Sequence, residues 1–463
     1  MLPFSKRSLA RGVEPCGDIP DGRSLLKRTI EIAWPSIVES FLLSLVGMVD
    51  TMMVGVLGPT AIAAVGLTNQ PKFIGLALFL SMNVAISAIV ARRRGENDPA
   101  RARQTLMQSL IIAVVMSIII GLICVFFANP IIRFAGANDD TIGMASSYFS
   151  IIMGGLILNV ICMTINAAQR GAGNTKIALR TNIVSNVINV IFNYLLIGGN
   201  LGFPRLGTDG AAIATVLGSA AACIMGIISV MDRDSFVSLR HIKRVRFDRE
   251  TIFALLNIGS STLVEQVFLR VGFLVYAIII ASLGTTAFAA HQIGMNILTI
   301  SFAIGDGLSV AAVALVGHSL GQKRRDLAKI FVRVCQRIGI ILSIALAVIF
   351  VLLAKQLYTM FTTDAKVLEY GVKIMEIMAV IVFMQITQVV YSGALRGAGD
   401  TKYTAFVSLI SVAIIRPGMG FLFCYPLGLG LTGAWIGLAI DQFARFILTW
   451  MRFRGGTWLT HKI

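Results

Sequence analysis

The sequence predicts an all-α membrane protein whose twelve transmembrane helices form two six-helix lobes related by a parallel repeat. Three observations support this prediction: an apolar composition, twelve apolar runs of membrane-spanning length, and a match between the two halves of the chain. Of the 463 residues, 56% are hydrophobic and only 14% are charged, and the mean hydropathy is +0.82. Soluble proteins contain about 25% charged residues, so the composition excludes an ordinary soluble domain.

The apolar runs set the number of spans, because about 20 apolar residues cross a bilayer as a helix. The predicted spans, in chain order, are 30–57, 62–91, 105–128, 142–168, 177–198, 209–231, 252–283, 287–317, 330–354, 368–394, 403–424 and 432–452. Residues 1–29 are polar and basic, and the first apolar run is too long for the core of a signal peptide. We therefore expect no cleaved signal peptide.

Basic residues are concentrated in every second connection between the spans. Residues 92–94 and 323–325 are basic clusters of this kind, as is the polar segment 232–250 with Lys243, Arg244 and Arg246. The opposite connections contain few basic residues, namely Arg133, Arg205, Lys355 and Lys366. Such a bias sets orientation, so we expect a multi-pass protein of the plasma (inner) membrane with both termini in the cytoplasm. The net charge of +17 then reflects topology, and no nucleic-acid partner is expected.

The second half of the chain repeats the first. A shift of 226 positions places Glu39 on Glu265, and the Arg-Gly-Ala-Gly motif at 170–173 on the same motif at 396–399. Six spans per half is an even number, so we expect a pseudo-two-fold axis along the membrane normal, as in other transporters with parallel repeats. This plan favours an alternating-access carrier. The predicted segments are an N-terminal segment 1–29, an N-lobe 30–231, a cytoplasmic linker 232–250, a C-lobe 251–453 and a cytoplasmic tail 454–463.

Asp50 is the leading candidate for a functional group in the first span. A carboxylate at bilayer depth costs roughly 3 kcal/mol on insertion scales, and such groups usually face a protein cavity. Asp50 lies about 20 residues into the span, or roughly 30 Å along a helix, in the outer part of the membrane. We interpret it as the switch of an ion-coupled exporter. The alternative is a structural acid paired with a neighbouring Lys or Arg, although the span itself has no basic residue near Asp50.

The fifth span carries four amides on one helix face. Asn182, Asn186, Asn189 and Asn193 follow one another at intervals of four, three and four, which places them in one stripe. Hydrogen bonding between helices is the common role of such residues, and it stays open for the first two. For Asn189 and Asn193 a cation site is favoured, because amide oxygens bind hard cations without adding charge. Thr215 in the sixth span is a third candidate.

Several motifs, in order over nearly the whole chain, resemble the multidrug and toxic compound extrusion (MATE) transporters. They are WP at 34–35, VDTMMVG at 49–55 with the following LGPTAIAAVG, QRGAGNTK at 169–176, LGTTAFAAHQ at 283–292, VGHSLGQ at 316–322 and LRGAGDTK at 395–402. The resemblance implies export of organic, often cationic, drug-like compounds, driven by influx of Na+ or H+. It also implies a first-lobe cation site, a Na+ site if sodium is the coupling ion, that joins Asp50, Asn189, Asn193 and Thr215.

The second lobe lacks this set of polar groups. Under the 226-position shift, Asp50 corresponds to Tyr276, and the amide stripe corresponds to Ser408, Val412, Ile415 and Met419. We therefore expect the ion site in the first lobe only. Glu265 resembles a second-lobe acid of one MATE branch that binds ion or substrate, with a local ion pair to Arg270 as the alternative. Gln385 stands where the family has an acid, and Gln292 and Gln385 are candidates to hydrogen-bond a substrate.

The remaining expectations concern single residues and excluded classes. Pro35 removes a backbone hydrogen bond early in the first span and is a candidate hinge. Met53, beside Asp50, suits either a polyspecific cavity or lipid contact. Asp306, Arg416 and Asp441 are intramembrane charges without an assignment beyond pairing with one another. The six cysteines and four histidines show no metal or catalytic spacing, so we expect a cofactor-free monomer that is not an enzyme. A lipid-linked precursor flippase of a related fold is the alternative function.

Overall fold

The computed structural model describes residues 4–241 and 247–461, and within these ranges the regular structure is helical. Lys243, Arg244 and Arg246 of the predicted linker and Lys462 of the tail lie outside the described residues. The long helices are α1 Gly22–Gly55, α2 Pro59–Gly95, α3 Pro99–Phe126, α4a Ile142–Gly154, α4b Leu156–Gly171, α5 Thr175–Gly198, α6 Gly207–Met231, α7 Arg249–Ala281, α8 Thr285–Gly321, α9 Arg325–Leu352, α10 Ala365–Gly397, α11 Thr401–Cys424 and α12 Gly430–Gly455.

The helices confirm the predicted number of spans. Eleven helices in the described ranges are long and apolar enough to cross a membrane, and the pair α4a and α4b, bent by 47°, makes a twelfth if counted as one span. The bend lies at Gly155, where a Cβ atom would stand only 2.6 Å from the Val216 side chain of α6. The glycine therefore allows α6 to approach the broken helix closely.

The chain divides into two compact units. The first unit is Val38–Gly259, and the second is Ser260–Ile463 together with the N-terminal segment through Ile37. The sequence placed these boundaries at residue 30 and within 232–250, whereas the units divide inside α1 and α7. The beginning of α1 belongs to the second unit because Ile37 packs directly on Gly307 of α8, where a Cβ would overlap the Ile37 backbone.

The repeated Arg-Gly-Ala-Gly motif performs the same structural task in each unit. A Cβ on Gly171 would collide with the carbonyl oxygen of Ser87, and a Cβ on Gly397 would lie 2.6 Å from the carbonyl oxygen of Val313. Both members of each contact are related by the 226-position shift. The motif therefore fixes α4b against α2 in the first unit and α10 against α8 in the second.

Both close contacts are expected to be intolerant of a methyl group. Gly171→Ala and Gly397→Ala should each destabilise the protein by about 1–3 kcal/mol, because overpacking displaces a backbone that has no room to move. Gly143→Ala is the matched control, since nothing lies within 4 Å of its Cβ position. Thermal unfolding of the purified variants in detergent measures the effect. Melting of both variants at the temperature of the parent would show that the contacts are not rigid.

Candidate functional site

Asp50, Asn189 and Asn193 meet inside the first unit. Asn193 of α5 donates a hydrogen bond from Nδ2 to Asp50 Oδ1 of α1 at 2.8 Å. Asp50 is partly exposed, whereas Asn189 and Asn193 are only 5% and 1% exposed. The spacing of four residues brings both amides to one face of α5, and this face is turned toward Asp50.

The amide of Asn189 lies between Asp50 and Thr215. Its terminal atoms are 2.7 Å from Asp50 Oδ1 and 3.1 Å from Thr215 Oγ1. With nitrogen toward Asp50, the amide donates to the ionised carboxylate and its oxygen accepts from Thr215. With oxygen toward Asp50, two acceptors stand 2.7 Å apart, an arrangement that is stable only with a proton or cation between them. The orientation of this amide is thus linked to the occupancy of Asp50.

The site offers one oxygen atom that accepts no hydrogen bond from the described part of the chain. Asn193 Oδ1 is buried and accepts no hydrogen bond from the described residues. Among the same residues, no Lys or Arg nitrogen lies within 4.0 Å of the Asp50 carboxylate. Hard cations bind oxygen ligands. This site supplies a carboxylate, amide oxygens and a threonine hydroxyl, so the residues present fit a monovalent cation.

Two neighbours of Asp50 were not predicted from the sequence. Lys72 of α2 acts electrostatically on Asp50 without closing an ion pair, and Tyr148 of α4a is a buried side chain close enough to sense the Asp50 charge. The sequence does contain a signal for Lys72, because it is a lone charge within the second predicted span. No sequence pattern marks Tyr148 as a site residue, because tyrosine is common in membrane-spanning helices.

Asn182, the first amide of the stripe, belongs to a different site. Asn182 donates to Glu39 Oε1 at 2.7 Å, and Arg170 donates to the same oxygen at 2.9 Å. Asn186 Nδ2 is buried with no acceptor among the described residues. One face of α5 therefore contributes Asn182 to the Glu39–Arg170 ion pair near the beginning of the helix, and Asn189 and Asn193 to the Asp50 cluster near its end.

The Glu39 ion pair has an exact counterpart in the second unit. Arg396 donates to Glu265 Oε1 at 2.6 Å, and Ser408 donates to the same oxygen at 3.2 Å. Glu265, Arg396 and Ser408 are the 226-position equivalents of Glu39, Arg170 and Asn182. Thr404 adds a hydrogen bond to Glu265 Oε2 at 3.1 Å. A contact present in both repeats is part of the common architecture, which weakens the interpretation of Glu265 as an ion site.

Each of the other predicted substrate residues has its own surroundings in the structure. Tyr276 is buried and donates to the Ala434 carbonyl at 2.8 Å. Gln385 is fully buried and accepts from Ser301 at 2.6 Å, while Gln292 is exposed. Met53 packs in an apolar cluster of the first unit that also contains Tyr148. Pro35 is buried within the continuous helix α1, so its hinge role stays a prediction.

Arg416 and Asp441 form the pairing that their positions in the sequence suggested. Arg416 donates to Asp441 Oδ2 through Nη2 at 2.6 Å and Nε at 3.0 Å. The two side chains are 1% and 0% exposed. A salt bridge buried to this extent joins α11 to α12 inside the second unit.

The internal repeat points to one transporter family. The MatE family profile matches the chain twice, at residues 35–195 and 262–422. The second match starts 227 positions after the first (262 against 35), within one residue of the shift found in the sequence. The chain belongs to the MATE family. MATE proteins are transporters and not enzymes, and the predicted all-α, two-lobe class of fold is confirmed.

Individual MATE proteins match along almost their full length. The chain is similar to "Probable multidrug resistance protein NorM" of Thermotoga maritima, with 26% identity over 451 residues that cover 97% of this chain and 96% of that protein. It is 25% identical over 454 residues to "Multidrug resistance protein MdtK" of Edwardsiella ictaluri, with 96% of each chain covered. The structure of a multidrug resistance MATE transporter in an outward-facing conformation has a TM-score of 0.86 and 21% identity, covering 95% and 99%.

Proposed function

We propose that this MATE protein is a secondary active multidrug efflux transporter. It exports amphipathic, often cationic, organic compounds in exchange for Na+ or H+ by alternating access. The cluster of Asp50, Asn189, Asn193 and Thr215 carries this proposal, because within the described ranges its carboxylate has no cationic partner within 4.0 Å and one of its amide oxygens accepts no hydrogen bond. The names of the NorM and MdtK relatives support the class of substrate.

Cation binding changes the charge of a buried network, and this supplies a switch. In the empty state, the ionised Asp50 is held by the Asn193 amide at 2.8 Å. A proton or Na+ at Asp50 neutralises the carboxylate and favours an oxygen of Asn189 toward it. Asn189 then donates a hydrogen bond to Thr215 of α6, whereas in the empty state it accepts one from Thr215. The change at Asp50 is thereby transmitted to a second helix. Pro35 gives α1 a point at which the helix can bend.

The protein is proposed to act as a monomer in the inner membrane with both termini cytoplasmic. A flippase for lipid-linked precursors is the second candidate, but a pyrophosphate headgroup requires arginines or lysines in the transport site. The Asp50 cluster is instead built from one acid and neutral amides, which disfavours an anionic headgroup there.

Dye export from proteoliposomes tests the proposal. Liposomes containing the full chain and the cationic dye ethidium receive an inward Na+ gradient or an inward H+ gradient, each imposed alone. We expect ethidium export above that of protein-free liposomes with at least one gradient. If ethidium is exported with neither the Na+ gradient nor the H+ gradient, and a fluorescent polyprenyl pyrophosphate is flipped, the flippase alternative would replace this function.

A further inference from the structure

The second unit contains a cavity whose lining includes charged residues that the repeat does not share. The cavity measures about 230 Å³ and lies among α7, α8, α10, α11 and α12. Its charged lining residues are Glu265, Asp306, Arg396, Arg416 and Arg445. Under the 226-position shift, Asp306 corresponds to Leu80 and Arg416 to Val190. Arg445 corresponds to Ser219, so these three charges distinguish the second unit, whereas Glu265 and Arg396 belong to the ion pair found in both units.

Two of the three arginines are neutralised by acids. Arg396 binds Glu265 at 2.6 Å, and Arg416 binds Asp441 at 2.6 Å. Even so, Arg396 Nε and Arg416 Nη1 are buried and lack acceptors among the residues that the structure describes. The paired arginines thus keep two unused donors, although their charges are balanced.

Arg445 is the cation of the cavity that has no acid of its own. It is 8% exposed, and its Nε and Nη2 donate to the hydroxyls of Ser411 at 2.9 Å and Ser408 at 3.4 Å. Within residues 4–241 and 247–461, no carboxylate oxygen lies within 4.0 Å of this guanidinium. Asp441 and Glu265 act on this charge only from beyond ion-pair distance, so its direct partners are neutral hydroxyls. A guanidinium binds carboxylates with two parallel hydrogen bonds.

Asp306 is the matching anion. Its side chain is solvent-accessible and lines the cavity, and Arg396 is the charged group that acts on it electrostatically. In the described parts of the chain it accepts no hydrogen bond and forms no ion pair within 4.0 Å. Intramembrane acids of this kind usually serve binding or transport, and a cationic group is the natural partner for this carboxylate.

Local backbone geometry supports a binding role for this region. Residues Leu409–Ile415 of α11 are π-helical, and this irregular turn separates Ser408 from Arg416. Single π-helical turns occur often at functional sites. Phe273 and Phe302 contribute apolar surface to the same cavity, and the Phe273 ring centroid lies 4.5 Å from the Arg416 guanidinium. The cavity therefore combines separate charges of both signs with an aromatic wall.

We propose that this cavity binds a small aromatic or aliphatic zwitterion. The ammonium group of the ligand is placed at Asp306, and its carboxylate is placed at Arg445. The volume is below the ~300–1,000 Å³ of pockets for drug-sized ligands, which restricts the ligand to roughly the size of an amino acid. This inference adds a ligand class to the proposed transporter and does not require the Asp50 site to function.

Three related probes test the charge pattern in the unaltered protein. Calorimetric titration of the purified full chain compares phenylalanine, phenethylamine, which lacks the carboxylate, and 3-phenylpropionate, which lacks the amine. Loss of one buried charge pair should weaken binding about 30-fold or more. We expect phenylalanine to bind at least that much more tightly than either analogue. No saturable binding of phenylalanine, or equally tight binding of an analogue, would overturn the proposal.

Two variants assign each charge to its residue. Arg445→Gln should remove the preference for phenylalanine over phenethylamine, and Asp306→Asn should remove the preference over 3-phenylpropionate. Arg454→Gln, an exposed arginine of the same helix, should change neither preference. If Arg445→Gln does not fold, the three probes on the parent still decide. Ethidium export reports the proposed function separately, so a failure of zwitterion binding with intact export rejects this inference alone.

Discussion

Asp50→Asn is expected to reduce cation-driven ethidium export to the level of protein-free liposomes. The asparagine preserves the size of the side chain and its hydrogen bond with Asn193, seen at 2.8 Å. It removes the negative charge that would attract Na+ or take up a proton, and amide oxygens alone bind such ions weakly. Export is measured with each gradient imposed separately, and ethidium binding to the detergent-purified variant shows whether the substrate site survives.

Asp139→Asn provides the matched control for this substitution. Asp139 precedes α4a and its side chain is 96% exposed, so the same loss of one negative charge occurs away from any buried network. We expect export by this variant to equal that of the parent. Parental export by Asp50→Asn, with a folded protein in both cases, would remove Asp50 from the coupling mechanism.

Asp441→Asn is expected to cause the largest loss of stability. Arg416 and Asp441 are 1% and 0% exposed, so the substitution leaves a buried guanidinium without its counter-charge. Breaking such a pair from one side costs about 3–5 kcal/mol. The loss should appear as a large decrease in the apparent melting temperature of the purified protein, with a lower yield of monodisperse material.

A second ion pair separates the effect of burial from the effect of charge. Glu369 and Lys373 of α10 also form an ion pair, at 3.1 Å, but their side chains are 71% and 55% exposed. Glu369→Gln should therefore change stability by less than about 0.5 kcal/mol. If Asp441→Asn and Glu369→Gln have the same melting temperature, the buried ion pair does not stabilise the protein as its geometry predicts.

The sequence was sufficient for features that depend on length and periodicity. Apolar runs gave twelve spans, and the bent α4a and α4b account for the one span that is not a single helix. The spacing of four residues placed Asn189 and Asn193 together on α5, and an intramembrane acid drew attention to Asp50. These features are local along the chain, so pattern and elementary energetics predict them well.

Features that depend on contacts between distant residues could not be read in this way. Glu39 is bound by Arg170, 131 positions away, and no periodicity links two such positions. Arg445 lies in the last third of the predicted twelfth span, toward an end that the charge bias predicts to be basic, and only the fold reveals that it is buried. The π-helical stretch in α11 also shifts the 3.6-residue phase, so face assignments from the sequence fail beyond it.

Carbodiimide labelling of Asp50 tests its role as the cation ligand most directly. The reagent modifies carboxyl groups, and peptide mass spectrometry reads the modified fraction at Asp50 and at the exposed Asp139. We expect labelling of Asp50 to change with Na+ at constant pH, or with pH in the absence of Na+, over the range that changes export. Labelling that responds to neither ion while ethidium export responds would contradict cation binding at Asp50.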